Sequence, residues 1–338
     1  MKIMLVGFGV VGQGLAMILR DKAQELKEKY NFEPIIVGVA TNSRGILYQA
    51  QGLSLDSLLE AIETGSLANY PDEAGLDRDF TNANDLIQKG DADVLVELSP
   101  TNIETAMPAT QHFQTAIATG KHIVTANKGP VALGFSDLSQ RAKEANVQIR
   151  YEATLMAGTP AISAGLEGLA GCTIETVRGI VNGTTNYILT EMENGLAYKD
   201  ALKQAQDLGY AETDPTADVE GYDAAAKVLI MLDTFFGKDL SLADIDVTGI
   251  TQISTEDIAS AKANGERYKL IASASADGGH VVPVRLPLSD PLAQVSGATN
   301  AITFQTDLMG AVTVIGAGAG QKETGAALLS DLLAIHRS

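Results

Sequence analysis

The chain predicts an α/β fold, a doubly wound parallel sheet joined to a second, α+β domain with a mixed sheet. Three observations carry this reading. Strand-type and helical patterns alternate up to about residue 150, the first strand runs straight into a glycine turn and a helix, and beyond 150 the strands no longer alternate simply with helices. A chain of 338 residues can bury a sizeable core and should hold two domains, 1–135 with about 305–338, and 150–304.

The first element is the apolar run Ile3–Val6, followed by Gly7-Phe8-Gly9-Val10-Val11-Gly12 and then by Leu15, Ile18, Leu19 and Leu26 at helical spacing. In this order Gly7 permits the tight turn, Gly9 lets backbone amides approach a pyrophosphate, and Gly12 lets the helix pack close to the strand. A lone glycine pattern is weak, but between a strand and a helix it reads as a Rossmann-type dinucleotide fingerprint. Pro34–Ala40 supplies a second strand, whose end should meet the adenosine ribose. Residues 41–45, Thr-Asn-Ser-Arg-Gly, contain no acid to bind a ribose hydroxyl. Arg44 can pair with a 2′-phosphate, which favours NADP over NAD; a plain surface arginine is the alternative.

Helical segments at Leu55–Ile62 and Asp85–Lys89 precede the strand Val94–Leu98, which ends in Ser99-Pro100-Thr101. A helix over Ala106–Thr119 leads to the strand His122–Thr125 and the turn Ala126-Asn127-Lys128-Gly129. Ligands of a doubly wound sheet sit at the carboxyl ends of its strands, so Ser99, Thr101, Asn127 and Lys128 are candidate cofactor contacts. Lys128 is either a solvated turn lysine or a residue facing the nicotinamide.

Later strands are expected at Val177–Val181, Lys269–Ala274, Val281–Leu286 and Ala301–Thr306. Ala311–Ile315 enters a second glycine turn, Gly318-Ala319-Gly320, before a helix from Thr324 to Ile335. That turn either adds amides near the cofactor, bringing the tail back to the first domain, or is a packing turn. Residues 205–227 gather Glu212, Asp214, Asp218, Asp223 and Lys227 around one turn and the start of one helix. Asp223 and Lys227, four apart, share a helical face. As an exposed pair they would be worth only ~0.3–0.5 kcal/mol, with Asp218 a mere helix cap. They instead interrupt an apolar helix, where an idle charge is costly to desolvate, which points to a site for a ligand carrying an amine and a hydroxyl.

Lys and Arg number 24 against 42 acids, a formal net charge of −18, which argues against nucleic acid or an anionic membrane as partner. Cys172 is the one cysteine, so no intrachain disulfide forms. The start runs directly into a strand rather than a signal peptide, and no apolar stretch reaches the ~20 residues of a membrane helix, so a cytoplasmic protein is expected.

Taken together, Gly7–Gly12, Asn127-Lys128, Tyr151–Pro160, Asn182-Gly183-Thr184-Thr185-Asn186-Tyr187-Ile188-Leu189, the 205–227 run, and Gly318-Ala319-Gly320 with Thr324 resemble homoserine dehydrogenase. The resemblance implies interconversion of L-homoserine and L-aspartate 4-semialdehyde with NAD(P), serving threonine and methionine synthesis. It implies a short form without the C-terminal ACT regulatory module. It places Gly7, Phe8, Gly9, Val10, Val11, Gly12, Arg44, Ser99, Thr101, Asn127, Lys128, Gly209 and Gly318 at the cofactor. Glu212, Asp218 and Asp223 would hold the substrate amino group, with Gly183 and Thr184 nearby. Lys227 would be the proton donor, with Lys128 bridging nicotinamide and substrate. A monovalent cation, sodium, is implied at Glu152, Leu155, Ala157 and Thr159, although Leu-Met-Ala-Gly-Thr-Pro departs from the more glycine-rich family turn. Glu152 as a hinge ligand, or as an acid capping a helix over Ala157–Leu169, is the alternative. A homodimer through the second domain is expected both from the family and from the apolar alternation of Val281, Val284, Leu286, Ile302 and Phe304. Two rival functions are aspartate-semialdehyde dehydrogenase, which needs an activated cysteine, and a catalytically silent NADP sensor.

Overall fold

A computed structural model describes residues 1–338, which form two compact units, 1–158 with 320–338 and 159–319. The first unit is built on a six-stranded sheet of order β3-β2-β1-β4-β5-β6. Its strands are β1 (Lys2–Val6), β2 (Ile35–Ala40), β3 (Ile46–Tyr48), β4 (Val94–Glu97), β5 (His122–Thr125) and β6 (Ile149–Arg150). Ile3 and Leu5 enter the core on one face and Met4 and Val6 that on the other, so both faces are covered and the strands read as apolar runs. Leu328 and Leu332 of the helix Gln321–Arg337 share the first of these cores with Leu15 and Leu19 of the helix Val10–Asp21.

The sheet is not wholly parallel, as the sequence pattern suggests, because β3 lies antiparallel to β2. The loop 41–45 is too short for a crossover, which needs a dozen residues or more, so the chain turns back as a hairpin. β6 pairs with β5, which carries the first unit to residue 158 rather than 135.

The second unit holds a mixed sheet of order β12-β11-β7-β9-β10-β8. It comprises β7 (Ile174–Ile180), β8 (Asp246–Val247), β9 (Glu266–Ser275), β10 (Gly278–Pro287), β11 (Thr299–Thr306) and β12 (Gly310–Ala317). All neighbours are antiparallel except β8 and β10. Since β12 pairs with β11, this unit extends to 319, past the 304 read from the sequence. The helix Tyr222–Phe236 packs on β9 and β10, and the Phe304 ring meets Phe235 edge-on at 5.3 Å.

Val281, Ile302 and Phe304 are buried within their own chain, and Leu286 and Val284 cluster with Leu292 and Val295. The uncovered apolar sheet face expected at these residues is therefore absent. One sheet face meets the helix, and a turn over Pro291–Gln294 covers part of the other. No helix is long and apolar enough to cross a membrane.

At the far end of the helix Tyr222–Phe236, burial and then the charge of Asp239 push Asp233 from 3.8 to about 6. With the folded pKa above the unfolded one, the unfolded chain loses its proton first as pH rises, and stability drains away between about pH 4 and 6. Asp233→Asn is therefore expected to raise stability by about 1–2 kcal/mol at neutral pH, allowing for partial exposure, and to change nothing below about pH 4. Thermal melts at the two pH values check this. A gain of equal size at both would mean that the carboxylate charge is not its source.

Candidate active site

Gly7 leaves β1 with φ +98°, and a Cβ there would fall 2.3 Å from the Leu98 carbonyl oxygen. At Gly12 a Cβ would lie 2.9 Å from the Gly7 oxygen, so the helix sits as close to the turn as a backbone allows. At Gly9 nothing lies within 4 Å of that position. No side chain caps the helix that begins here, which leaves its first amides and the positive end of its dipole for an anion. The observation suits a pyrophosphate. Beside Gly7 opens a cavity of about 1010 Å³, bordered by Thr41, Asn42, Ser43, Ser99, Thr101 and His112.

Arg44 is exposed and lies outside that lining. Its backbone is pinned, the amide donating to Thr41 Oγ1 at 2.9 Å and the carbonyl accepting from the Leu67 amide at 2.8 Å. Phe8 is buried, Val11 half-buried and Val10 largely exposed.

The ends of β4 and β5 are stapled together. Asn127 Nδ2 donates to the Ser99 carbonyl at 2.8 Å and to Ser99 Oγ at 3.3 Å, while its Oδ1 accepts from the Gly129 amide at 3.0 Å. Asn127 thereby caps the short helix Lys128–Ala132 and fixes where Lys128 begins. Beneath this staple lies a pair that sequence reasoning missed. Glu97, fully buried, accepts at Oε1 from the Ser99 amide at 3.2 Å and from the Ser99 hydroxyl, and stands 3.1 Å from His112 Nδ1. A lone acid closing the apolar run Val94-Leu95-Val96 was the available signal.

In the second unit Lys227 is only 8% exposed, and its Nζ donates to Asp223 Oδ2 at 2.7 Å and to the Val181 carbonyl at 2.6 Å. The surface-pair reading of Asp223 and Lys227 is thus excluded. Asp218 is not the helix cap either. Gly221, at φ +88°, holds that position without a side-chain bond, and Asp218 Oδ1 accepts from Asn182 Nδ2 at 2.7 Å. The same Nδ2 donates to Asp223 Oδ2 at 3.0 Å.

Thr184 donates to the Tyr210 carbonyl at 2.6 Å, tying the first turn of the helix Gly183–Glu193 to the 208–214 loop. Glu212 is exposed and outside this hydrogen-bonded cluster. Asp214 accepts from the Thr216 amide and hydroxyl, which holds its carboxyl below the usual range and starts a single helical turn, Thr216–Val219, that the sequence pattern did not suggest. Gly209, at φ +75°, follows the helix Tyr198–Asp207. A Cβ on Gly318 would fall 2.1 Å from Cγ of the buried Asn300, another residue that sequence reasoning missed.

Glu152, Leu155 and Ala157 are buried in the first unit, where the Glu152 amide donates to Asp331 Oδ2 at 3.0 Å. Glu152 makes no side-chain cap, and only Ala153–Met156 is helical before Ala157 breaks away at φ +48°, ψ −107°. Of the helix expected over Ala157–Leu169 only residues 162–168 are helical, with Ala164–Gly168 in a π-helical turn. The φ +48° of Ala157 is costly for a non-glycine residue. Thr159 opens the second unit, its hydroxyl donating to the Ala317 carbonyl at 3.0 Å.

Two family models match the chain, homoserine dehydrogenase over residues 160–333 and the homoserine dehydrogenase NAD binding domain over residues 7–152. The chain belongs to the homoserine dehydrogenase family. It is similar to the homoserine dehydrogenase of Methanocaldococcus jannaschii, with 43% identity over all of this chain and 99% of the relative. The NAD(+)-dependent homoserine dehydrogenase of Pseudomonas canavaninivorans is 42% identical, covering 100% of this chain and 96% of the relative. Among solved structures, the homoserine dehydrogenase of Thiobacillus denitrificans aligns with a TM-score of 0.84 at 35% identity, over 100% of this chain and 73% of that one. A hyperthermophilic archaeal homoserine dehydrogenase mutant in complex with NADPH aligns at 0.83 and 30% identity, over 98% and 96%.

As a homoserine dehydrogenase, the protein is an NAD(P)-dependent oxidoreductase that interconverts L-homoserine and L-aspartate 4-semialdehyde. The two rival functions fall with this identification. Cys172 sits half-buried in the turn before β7.

Proposed function

We propose that Lys227 protonates the aldehyde oxygen during reduction of L-aspartate 4-semialdehyde and takes the hydroxyl proton back during oxidation of L-homoserine. One observation supports this above others. Of the three Nζ hydrogens, one is given to Asp223 and one to Val181, which leaves one N–H for a substrate oxygen. When bound, the reduced nicotinamide supplies the hydride to the carbonyl carbon. Lys227 stabilises the negative charge that develops on the oxygen, and Asp218 and Asp223, with Glu212 from the exposed loop, hold the substrate ammonium. Gly183 and Thr184 shape the floor at the helix start, and Lys128 bridges substrate and cofactor. Turnover of a Lys227 variant, followed by nicotinamide absorbance, is the test.

For the cofactor we propose contacts from Gly7–Gly12, Ser99, Thr101, Asn127, Lys128, Gly209 and Gly318, with NADP preferred over NAD. Support comes from the absence of any acid in 41–45 and from Arg44 flanking the residues that border the cavity. NADP is expected to bind more tightly than NAD, and Arg44→Ala to remove the difference. Equal dissociation constants in the unaltered enzyme, read by nicotinamide fluorescence titration, would refute the preference.

We further propose that Glu152, Leu155, Ala157 and Thr159 hold a monovalent cation, sodium, through oxygen atoms. Activity that is unchanged after replacing sodium and potassium by tetramethylammonium counts against it. A homodimer through the second unit is also proposed, on the exposed Ile315 of the edge strand β12. Light scattering is expected to give a mass near twice 35.4 kDa, and a mass near 35.4 kDa would sink the dimer.

A further inference from the structure

The side chains that carry the proposed chemistry lie on the segment 218–227, yet what holds them in register is the dipeptide at the end of β7. Val181 gives its carbonyl to Lys227, and the next residue, Asn182, spends its whole amide on the site. Its two N–H groups go to two different carboxylates, Asp218 Oδ1 at 2.7 Å and Asp223 Oδ2 at 3.0 Å. Its oxygen accepts from the Thr185 amide at 2.9 Å and from Thr185 Oγ1 at 3.0 Å. Every donor and acceptor position of that amide is therefore engaged, and the oxygen bonds forbid a flip. Asn182 is 6% exposed, so these bonds face little competition from water.

We infer that Asn182 is a positioning residue for the reaction, setting the separation of Asp218 and Asp223 and thereby the direction of the remaining Lys227 N–H. An amide that donates one hydrogen to each of two carboxylates holds them at one fixed spacing. Asp223 Oδ2 takes both the Asn182 and the Lys227 hydrogens, so any rotation of this carboxylate moves the ammonium as well. The same side chain is the N-cap of the helix Gly183–Glu193, which joins the start of that helix to the acid pair. This inference rests on the proposed roles of Asp218, Asp223 and Lys227.

Capping and positioning separate by substitution. Serine and aspartate both cap well, but neither can donate one hydrogen to each of two acids. Asn182→Ser and Asn182→Asp are therefore compared with Asp218→Asn in steady-state assays with homoserine and cofactor, alongside thermal melts. Loss of hydrogen bonds to charged groups predicts a fall in kcat/KM for homoserine of about 10- to 100-fold in Asn182→Ser. A larger fall is expected in Asn182→Asp, which adds a third carboxylate. In both, the KM for the cofactor should stay within about threefold of normal, a split that general loosening of the fold would not give.

If either Asn182 variant keeps kcat/KM within about threefold while Asp218→Asn loses tenfold or more, the positioning role is overturned and the site reading stands. If Asp218→Asn is itself nearly normal, the reading of the site fails and the inference falls with it. If one Asn182 variant does not fold, the other decides. Failure of both to fold would assign Asn182 a purely structural role and overturn the inference.

Discussion

Lys227→Met is expected to lower kcat by at least about 100-fold with little change in cofactor affinity, because it removes a charge-assisted hydrogen bond that strengthens as the substrate oxygen becomes negative. Methionine is close to lysine in length and shape, so the helix Tyr222–Phe236 keeps the packing that Leu229, Ile230 and Leu232 give it. Its cost to the fold lies elsewhere. Asp223 retains the Asn182 amide but loses its ammonium partner, and the Val181 carbonyl loses its donor, so a stability loss of about 3–5 kcal/mol is expected and a thermal melt accompanies the assay to show that the variant is folded. Stopped-flow and steady-state rates separate the chemical step from binding. A variant that retains more than a tenth of normal kcat would remove Lys227 from the chemistry.

The second large effect separates two glycines that look alike in the sequence. Gly7→Ala meets both a positive φ and a backbone oxygen 2.3 Å from the new carbon, and a backbone oxygen cannot rotate aside. A cost of about 2–4 kcal/mol is expected, together with displacement of the turn and loss of cofactor binding. Gly9→Ala has room for its methyl group, since nothing lies within 4 Å. Its melting temperature should stay nearly unchanged while cofactor affinity falls tenfold or more, because the space it fills is the space a pyrophosphate would occupy. Thermal melts and cofactor titration of the pair distinguish the two costs. Normal cofactor affinity in Gly9→Ala would place the phosphates elsewhere.

The contrast shows where the sequence is legible. Gly7–Gly12, the alternating strands and the 205–227 run are local patterns, and local sterics or periodicity suffice to interpret them. The hairpin β2–β3 was hidden because a three-residue edge strand carries little periodic signal, although the shortness of the 41–45 loop already forbade a crossover. Asn182 stands in a motif read from the sequence, but its link to the two acids was equally hidden. Its partners lie 36 and 41 residues away, and no spacing rule connects β7 to the loop before the helix Tyr222–Phe236. Glu97 and His112 meet across 15 residues from a strand end and a helix, again by topology rather than periodicity. The apolar alternation of Ile302 and Phe304 was visible, but alternation alone cannot say whether the partner surface is a helix of the same chain or a second copy.

The division of the chain also has a consequence for how the protein comes off the ribosome. Residues 159–319 form one uninterrupted unit, whereas the other unit needs both 1–158 and 320–338. Leu328 and Leu332, made after the whole of 159–319, fill the same core as Leu15 and Leu19, made before it. Emergence order and folding order therefore cannot coincide. The nucleotide-binding half must wait, one apolar flank still bare, while everything between is synthesised. Of the two units, the one begun first is therefore the one completed last.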